Sequence, residues 1–176
     1  MIFTSKHSLE LSKNAKEVTA FFKNKTGVEI EKKSLLENTV YSLEHDYDRF
    51  ILSKKPRPLT RNGFLEVQLY LNVTEIDEQN SKVEYSIKYS ALSVLIIVTI
   101  YLIFIAVILF TNNIRIFGNS TTISIYLTKT LILILNLSLI TTVLWLHFLN
   151  SQKKLQEVFN EIKKSIHEKT TDKHTI

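Results

Sequence analysis

Residues 63–110 read GFLEVQLYLNVTEIDEQNSKVEYSIKYS and then, without a break, ALSVLIIVTIYLIFIAVILF. Two hydrophobic periods meet at Ser90. Before it, Leu65, Val67, Leu69, Leu71 and Val73 alternate with Glu66, Gln68, Tyr70, Asn72 and Thr74. Val83, Tyr85, Ile87 and Tyr89 likewise alternate with Lys82, Glu84, Ser86 and Lys88. Period two marks strands with one buried face, and Asp77 to Ser81 supplies turn residues between them. Setting Ile76 opposite Lys82 places Val73 by Tyr85, Leu71 by Ile87 and Leu69 by Tyr89, so the apolar faces coincide. After Ser90 the alternation stops. Ala91 to Phe110 carries no charge, and fifteen of its twenty residues are Leu, Ile, Val or Phe. As a helix it reaches about 30 Å, the thickness of a bilayer core, whereas a strand seldom exceeds about ten residues.

A second uncharged run, Thr130 to Leu149, reads TLILILNLSLITTVLWLHFL. Of 39 charged residues only Arg115 and Lys129 fall between Ala91 and Leu149, which excludes a uniformly soluble globule. The hydrophobic content of 45% excludes wholesale disorder. With no Cys, thiol catalysis, disulfides and thiolate zinc sites are excluded, and 3 Gly cannot build a phosphate-binding loop. Asn136 is the costly polar group in the second run; its amide is expected to face the first helix, near Ser93 and Thr99, with Tyr101 also available. Fourteen Lys and Arg precede the first run and six follow the second. The positive-inside rule then predicts a two-pass protein of the inner or plasma membrane with both termini cytoplasmic. No continuous apolar core lies in Met1 to Asn14, so the first run acts as the insertion signal.

The predicted organisation is an α+β cytoplasmic domain (1–90), two transmembrane helices (91–110 and 130–149), an external connection (111–129) and an amphipathic tail helix (150–176). Period two in Ile2 to Leu11 predicts a first strand, with His7 on its apolar side and buried. Ser12 is placed to cap a helix running to about Lys25, stopped at Gly27. Val28 to Glu37 reads equally as strand or helical turn, and Asn38 to Lys55 as two strands around Asp46–Asp48. In the tail, Leu155, Val158, Phe159, Ile162 and Ile166 recur at helical spacing, a face suited to covering the sheet. The fold class is thus a small antiparallel sheet with N- and C-terminal helices, interrupted by a transmembrane hairpin.

With the hairpin removed, this element order resembles the START-like, or helix-grip, plan, and the chain is similar to small bacterial two-helix membrane proteins built on it. Gly63 to Ser90 and the apolar runs carry the resemblance. It implies a sheet closed by a long C-terminal helix, with an apolar ligand or plain core between them.

The search for chemistry yields little. In Glu44-His45-Asp46-Tyr47-Asp48, strand geometry sends His45 to one side and its acidic neighbours to the other, which does not suit a metal. No catalytic residue, metal or cofactor is expected. Lys54, Lys55, Arg57 and Arg61 form the densest basic stretch; without interleaved aromatics it suits anionic lipid headgroups better than nucleic acid. The expected role is a non-enzymatic membrane-anchored binding or interaction module for an apolar ligand, a lipid or a partner protein. The alternative is an accessory or immunity-type protein acting through its hairpin on a partner membrane protein. The bilayer is the primary partner, and a homo-oligomer is open to either reading.

Overall fold

The computed structural model describes residues 3–33, 38–55, 65–110 and 125–171. The chain divides into two compact units. One comprises Met1–Ser90 and Phe148–Ile176, the other Ala91–His147.

The first unit is a six-stranded antiparallel sheet flanked by helices. Strands β1 (Thr4–Leu11), β2 (Glu29–Lys33), β3 (Asn38–Asp46), β4 (Arg49–Lys54), β5 (Val67–Glu75) and β6 (Ser81–Tyr89) lie in the order β1-β6-β5-β4-β3-β2. Helix α1 (Ala15–Lys25) follows β1, α2 (Ala91–Phe110) follows β6, and α3 (Ile125–Thr171) closes the chain. The α+β class and the helix-grip order of elements are therefore as the sequence predicts. Within the ambiguous segment after Gly27, Glu29–Lys33 is the edge strand β2, and residues 34–37 lie outside the described residues.

Local chemistry sets the boundaries. Asn14, not Ser12, caps α1: its side chain accepts the Lys16 N–H at 2.8 Å and its Nδ2 donates to Glu78 O at 2.9 Å. Gly27, at φ 77, reverses the chain after α1 and donates its N–H to Leu43 O at 3.0 Å. The β5–β6 turn is built on the Asp77 carboxylate, which accepts the Gln79 and Asn80 N–H groups at 2.8 and 2.7 Å. Those bonds, with the Asn80 amide foremost, hold the Asp77 carboxyl below the usual aspartate range. The turn's contribution is therefore full above the ordinary aspartate pKa and lost as pH falls through the lowered one.

The turn also corrects the predicted register. Glu75 pairs with Ser81, so Val73 faces Val83, Leu71 faces Tyr85, Leu69 faces Ile87 and Val67 faces Tyr89. The pairing is displaced by two residues from the expected one, which leaves every side chain on the same face. Periodicity cannot see a two-residue shift; the Asp77 turn decides it.

One sheet face is the core. Leu43, Leu52, Leu69, Leu71, Val83 and Ile87 are all 0% exposed, as are Val18 and Phe22 of α1. Phe22 lies 5.3 Å from Phe50 between ring centroids. The tail of α3 completes the cover with Leu155, Val158, Phe159, Ile162 and Ile166, all buried. Phe159 meets Tyr85 at 4.9 Å, Phe148 stacks on Phe3 at 5.8 Å, and Lys13 Nζ donates to Ile166 O at 2.6 Å. Lys32 and Glu161 form an ion pair between β2 and α3. Burial pushes the Tyr89 phenol up to about 12.

Ser81 Oγ is an exception within this core. It is fully buried and has no hydrogen-bond partner among the described residues. A buried unpartnered hydroxyl costs about 1–3 kcal/mol, so Ser81→Ala is expected to raise the unfolding free energy by about 1 kcal/mol. Denaturant titration checks this; a loss of stability would mean that the hydroxyl is bonded.

In the second unit, α2 and the part of α3 up to His147 are both long and apolar enough to cross a membrane. No Gly or Pro lies between Ile125 and Thr171, so nothing in the backbone ends the helix at Leu149. The second apolar run and the amphipathic tail, two segments in the sequence reading, are accordingly one helix of 47 residues.

Candidate functional site

The START-like resemblance directs attention first to the space between sheet and tail helix. Among the described residues its centre is closely packed: Leu69, Leu71, Val83, Ile87 and Val158 have no accessible surface. Of the two alternatives left open for this face, the geometry favours plain core over an apolar ligand.

The opposite face, on which the described residues place no helix, is polar and hollow across β1, β6 and β5. Its composition follows from register. Lys6, Ser86, Tyr70 and Ile51 form one row across four strands. Ser8, Glu84 and Asn72 form the next, with Arg49 in line beside Asn72 because its neighbour Phe50 pairs with Leu71. Thr4, Lys88 and Gln68 form the row before. Strands lie about 4.8 Å apart and same-face residues about 6–7 Å apart along a strand. The short side chains Ser8, Ser86 and Asn72 therefore floor a depression ringed by long ones. Its volume is about 590 Å³.

The ring is cationic. Lys6, Arg49, Lys82 and Lys88 line the groove against Asp48 and Glu84. Lys82 and Glu84 pair at 2.8 Å, which raises the lysine pKa and lowers that of the glutamate. Lys88 Nζ sits 4.2 Å from the centroid of the Tyr70 ring, a cation–π contact with no anion in it. The Tyr70 hydroxyl donates to Gln68 Oε1 at 2.6 Å. Burial, with Glu66 next, pushes the Tyr70 phenol up, so it remains a protonated donor at neutral pH.

The residues singled out from sequence fall elsewhere. Lys54 ends β4 and Lys55 follows it, its Nζ engaged by Glu29 at 2.5 Å. Arg57 and Arg61 lie outside the described residues. Asn136 Nδ2 donates to Ile132 O of its own helix at 2.8 Å, and Thr99 Oγ1 donates to Leu95 O at 2.9 Å. Ser93 is buried. Polar bonds that join the two apolar helices include Tyr101 with Thr141, 2.7 Å between hydroxyls, and Lys129 Nζ donating to Leu109 O at 3.4 Å. A short polar side chain on a helix always has the preceding turn's carbonyl within reach, whereas a long tyrosine spans to the neighbour.

His7, expected to be buried, is exposed. It stacks on Tyr85 at 5.0 Å and shares a 2.5 Å hydrogen bond with Ser5. The strand β1 is an edge, so its inward side chains have protein on one side only. His45 packs over Phe50 at 4.8 Å, on the face opposite its acidic neighbours.

Sequence reasoning missed the groove because its cations come from three separated strands. The available signal was the polar half of each alternating strand, where Lys6, Lys82 and Lys88 share a parity.

No family model and no curated protein matches the chain. Among solved structures, a START superfamily protein from Mycobacterium smegmatis aligns with TM-score 0.35 at 3% identity, over 49% of this chain and 76% of that one. A Thermobifida fusca protein aligns with TM-score 0.32 at 13% identity, over 55% and 81%. One from Deinococcus radiodurans aligns with TM-score 0.33 at 12% identity, over 52% and 86%.

Proposed function

We propose that the chain is a membrane-anchored binding module. In this reading α2 and the apolar part of α3 cross a bilayer as a hairpin. The sheet unit sits in the cytoplasm and offers its helix-free face to a ligand.

One observation carries the membrane part. Large apolar side chains are exposed around both helices, with Leu102 at 61% and Leu135 at 68%. Only 17% and 11% of the two apolar windows is buried. A soluble surface rarely leaves more than a few hundred Å² of contiguous apolar area open to water, and a helix apolar all round belongs in a core or in lipid. The distribution of Lys and Arg around the runs supports the cytoplasmic side for both termini.

Binding rather than catalysis suits the groove. Beside His7, Asp48 and Glu84, the lining offers lysines, an arginine, hydroxyls, an amide and a tyrosine, all groups that carry N–H or O–H donors. They are donors that grip an anion rather than groups that exchange protons with a substrate. Extraction of native membranes with alkaline carbonate tests the anchorage: the chain should stay in the pellet. Release into the supernatant would reject the reading.

The helix pair gives a further prediction. The Asn136 amide is bonded within its own helix, so Asn136→Leu should leave the thermal midpoint in mild detergent unchanged or raised. Tyr101→Phe removes one bond between helices and should lower stability by about 0.6 kcal/mol, the average for such bonds. A clear loss with Asn136→Leu would place the helix contact at Asn136 after all.

A further inference from the structure

We infer that the groove on the helix-free face binds a phosphate-bearing anion between Lys6, Arg49 and Lys88. The inference deepens the proposed function, since it names the ligand class of the same face.

Charge is the first argument. Among the described residues four cations and two carboxylates line the groove, with Glu10 opposite Lys82 and Asp46 opposite Arg49 at its margin. Glu84 is already neutralised by Lys82. Among the described residues, no ion pair holds Lys6, Arg49 or Lys88. Three cations outside any such pair suit a phosphomonoester or pyrophosphate group, which carries about two negative charges at neutral pH.

Geometry is the second. The three cations stand on different strands around a floor of Ser8, Ser86 and Asn72. Lysine donates as a point charge and the Arg49 guanidinium as a planar fork; hydroxyl and amide groups on the floor supply further donors. This combination lines the groove with donors from several strands, and the long side chains can converge there on an oxyanion. The volume of about 590 Å³ lies within the usual range of about 300–1,000 Å³ for small-molecule sites. The cation–π contact of Lys88 with Tyr70 positions that ammonium without neutralising it.

The phosphate has two sources, a soluble metabolite or a lipid headgroup. Lys88 precedes the first residue of α2 by three positions in the sequence, so the test includes both sources.

The test uses the full chain in nanodiscs. In phosphatidylcholine discs, pyrophosphate is titrated calorimetrically. In a parallel arm, phosphatidic acid retained by the protein is measured by native mass spectrometry. Lys88→Gln and Arg49→Gln should each weaken the bound anion about tenfold or more, the scale of one charge-assisted hydrogen bond. The double variant Lys54→Gln/Lys55→Gln, outside the groove, should match wild type. Pyrophosphate binding that depends on the groove identifies a soluble ligand; groove-dependent retention of phosphatidic acid alone identifies the lipid headgroup. Absence of binding in both arms overturns the inference, as does an equal loss in the Lys54/Lys55 control. Carbonate extraction of the same variants reports separately on anchorage, which the inference does not require to change.

Discussion

An aspartate at Val158 is expected to destabilise the sheet unit strongly. Val158 is 0% exposed on α3, beside Leu155 and Phe159 and against the closely packed sheet face. The substitution removes a buried methyl pair and inserts a carboxylate with no partner. Burying an unpaired charge costs at least about 4 kcal/mol even when the group answers by taking up a proton. A domain's stability is about 5–15 kcal/mol, so about a quarter of it or more is lost, and most of it in a domain at the low end. Limited trypsin digestion of the detergent-solubilised protein reads the outcome. Wild type should resist cleavage within the strands, and Val158→Asp should be cut there more readily. The control Lys153→Asp, on the exposed side of the same helix, should remain within about 0.5 kcal/mol of wild type. If Val158→Asp resists digestion like wild type, the tail does not cover the sheet.

The second large effect separates lipid from water as the solvent of α2. Leu102 lies at the middle of the helix and is 61% exposed. In water, Leu102→Arg would be harmless and would raise solubility. In a bilayer, arginine at the centre of a span costs about 2.5–3.5 kcal/mol, and the lost leucine adds about 0.5 kcal/mol. At about 1.4 kcal/mol per tenfold, the combined change lowers the insertion equilibrium of α2 by roughly a hundredfold. The fraction of chain surviving carbonate extraction should fall sharply, whereas Ile76→Arg, a half-exposed position in the β5–β6 turn, should leave it unchanged. An equal response at both positions would deny that α2 is a span.

Some of this architecture is legible in the sequence and some is not, for identifiable reasons. The two apolar runs, the β5–β6 hairpin and the buried stripe of the tail each follow from a single hydrophobic period read over ten residues or more. Period two assigns a face to each strand but names no neighbour. That β1 pairs with β6 rather than with β2 is a non-local fact. The exposure of His7 follows from that edge position, and the groove from the whole strand order: Lys6, Arg49 and Lys88 meet only because β1, β6, β5 and β4 lie side by side. The hairpin register needed the side-chain chemistry of Asp77, to which hydropathy is blind. The Asn136 bond turned on a competition between the helix's own carbonyls and the neighbouring helix, and composition contains no information on which is nearer.

The most direct test of the hairpin is chemical accessibility in intact cells. The chain has no cysteine, so single-cysteine variants report cleanly. Glu10→Cys and Lys153→Cys sample exposed positions on β1 and on the tail of α3, and Asn119→Cys samples the connection between the apolar runs. A membrane-impermeant maleimide should label Asn119→Cys in intact cells, and should reach Glu10→Cys and Lys153→Cys only after the membrane is opened. Labelling of Glu10→Cys and Lys153→Cys from opposite sides would contradict a hairpin that returns the tail to its sheet.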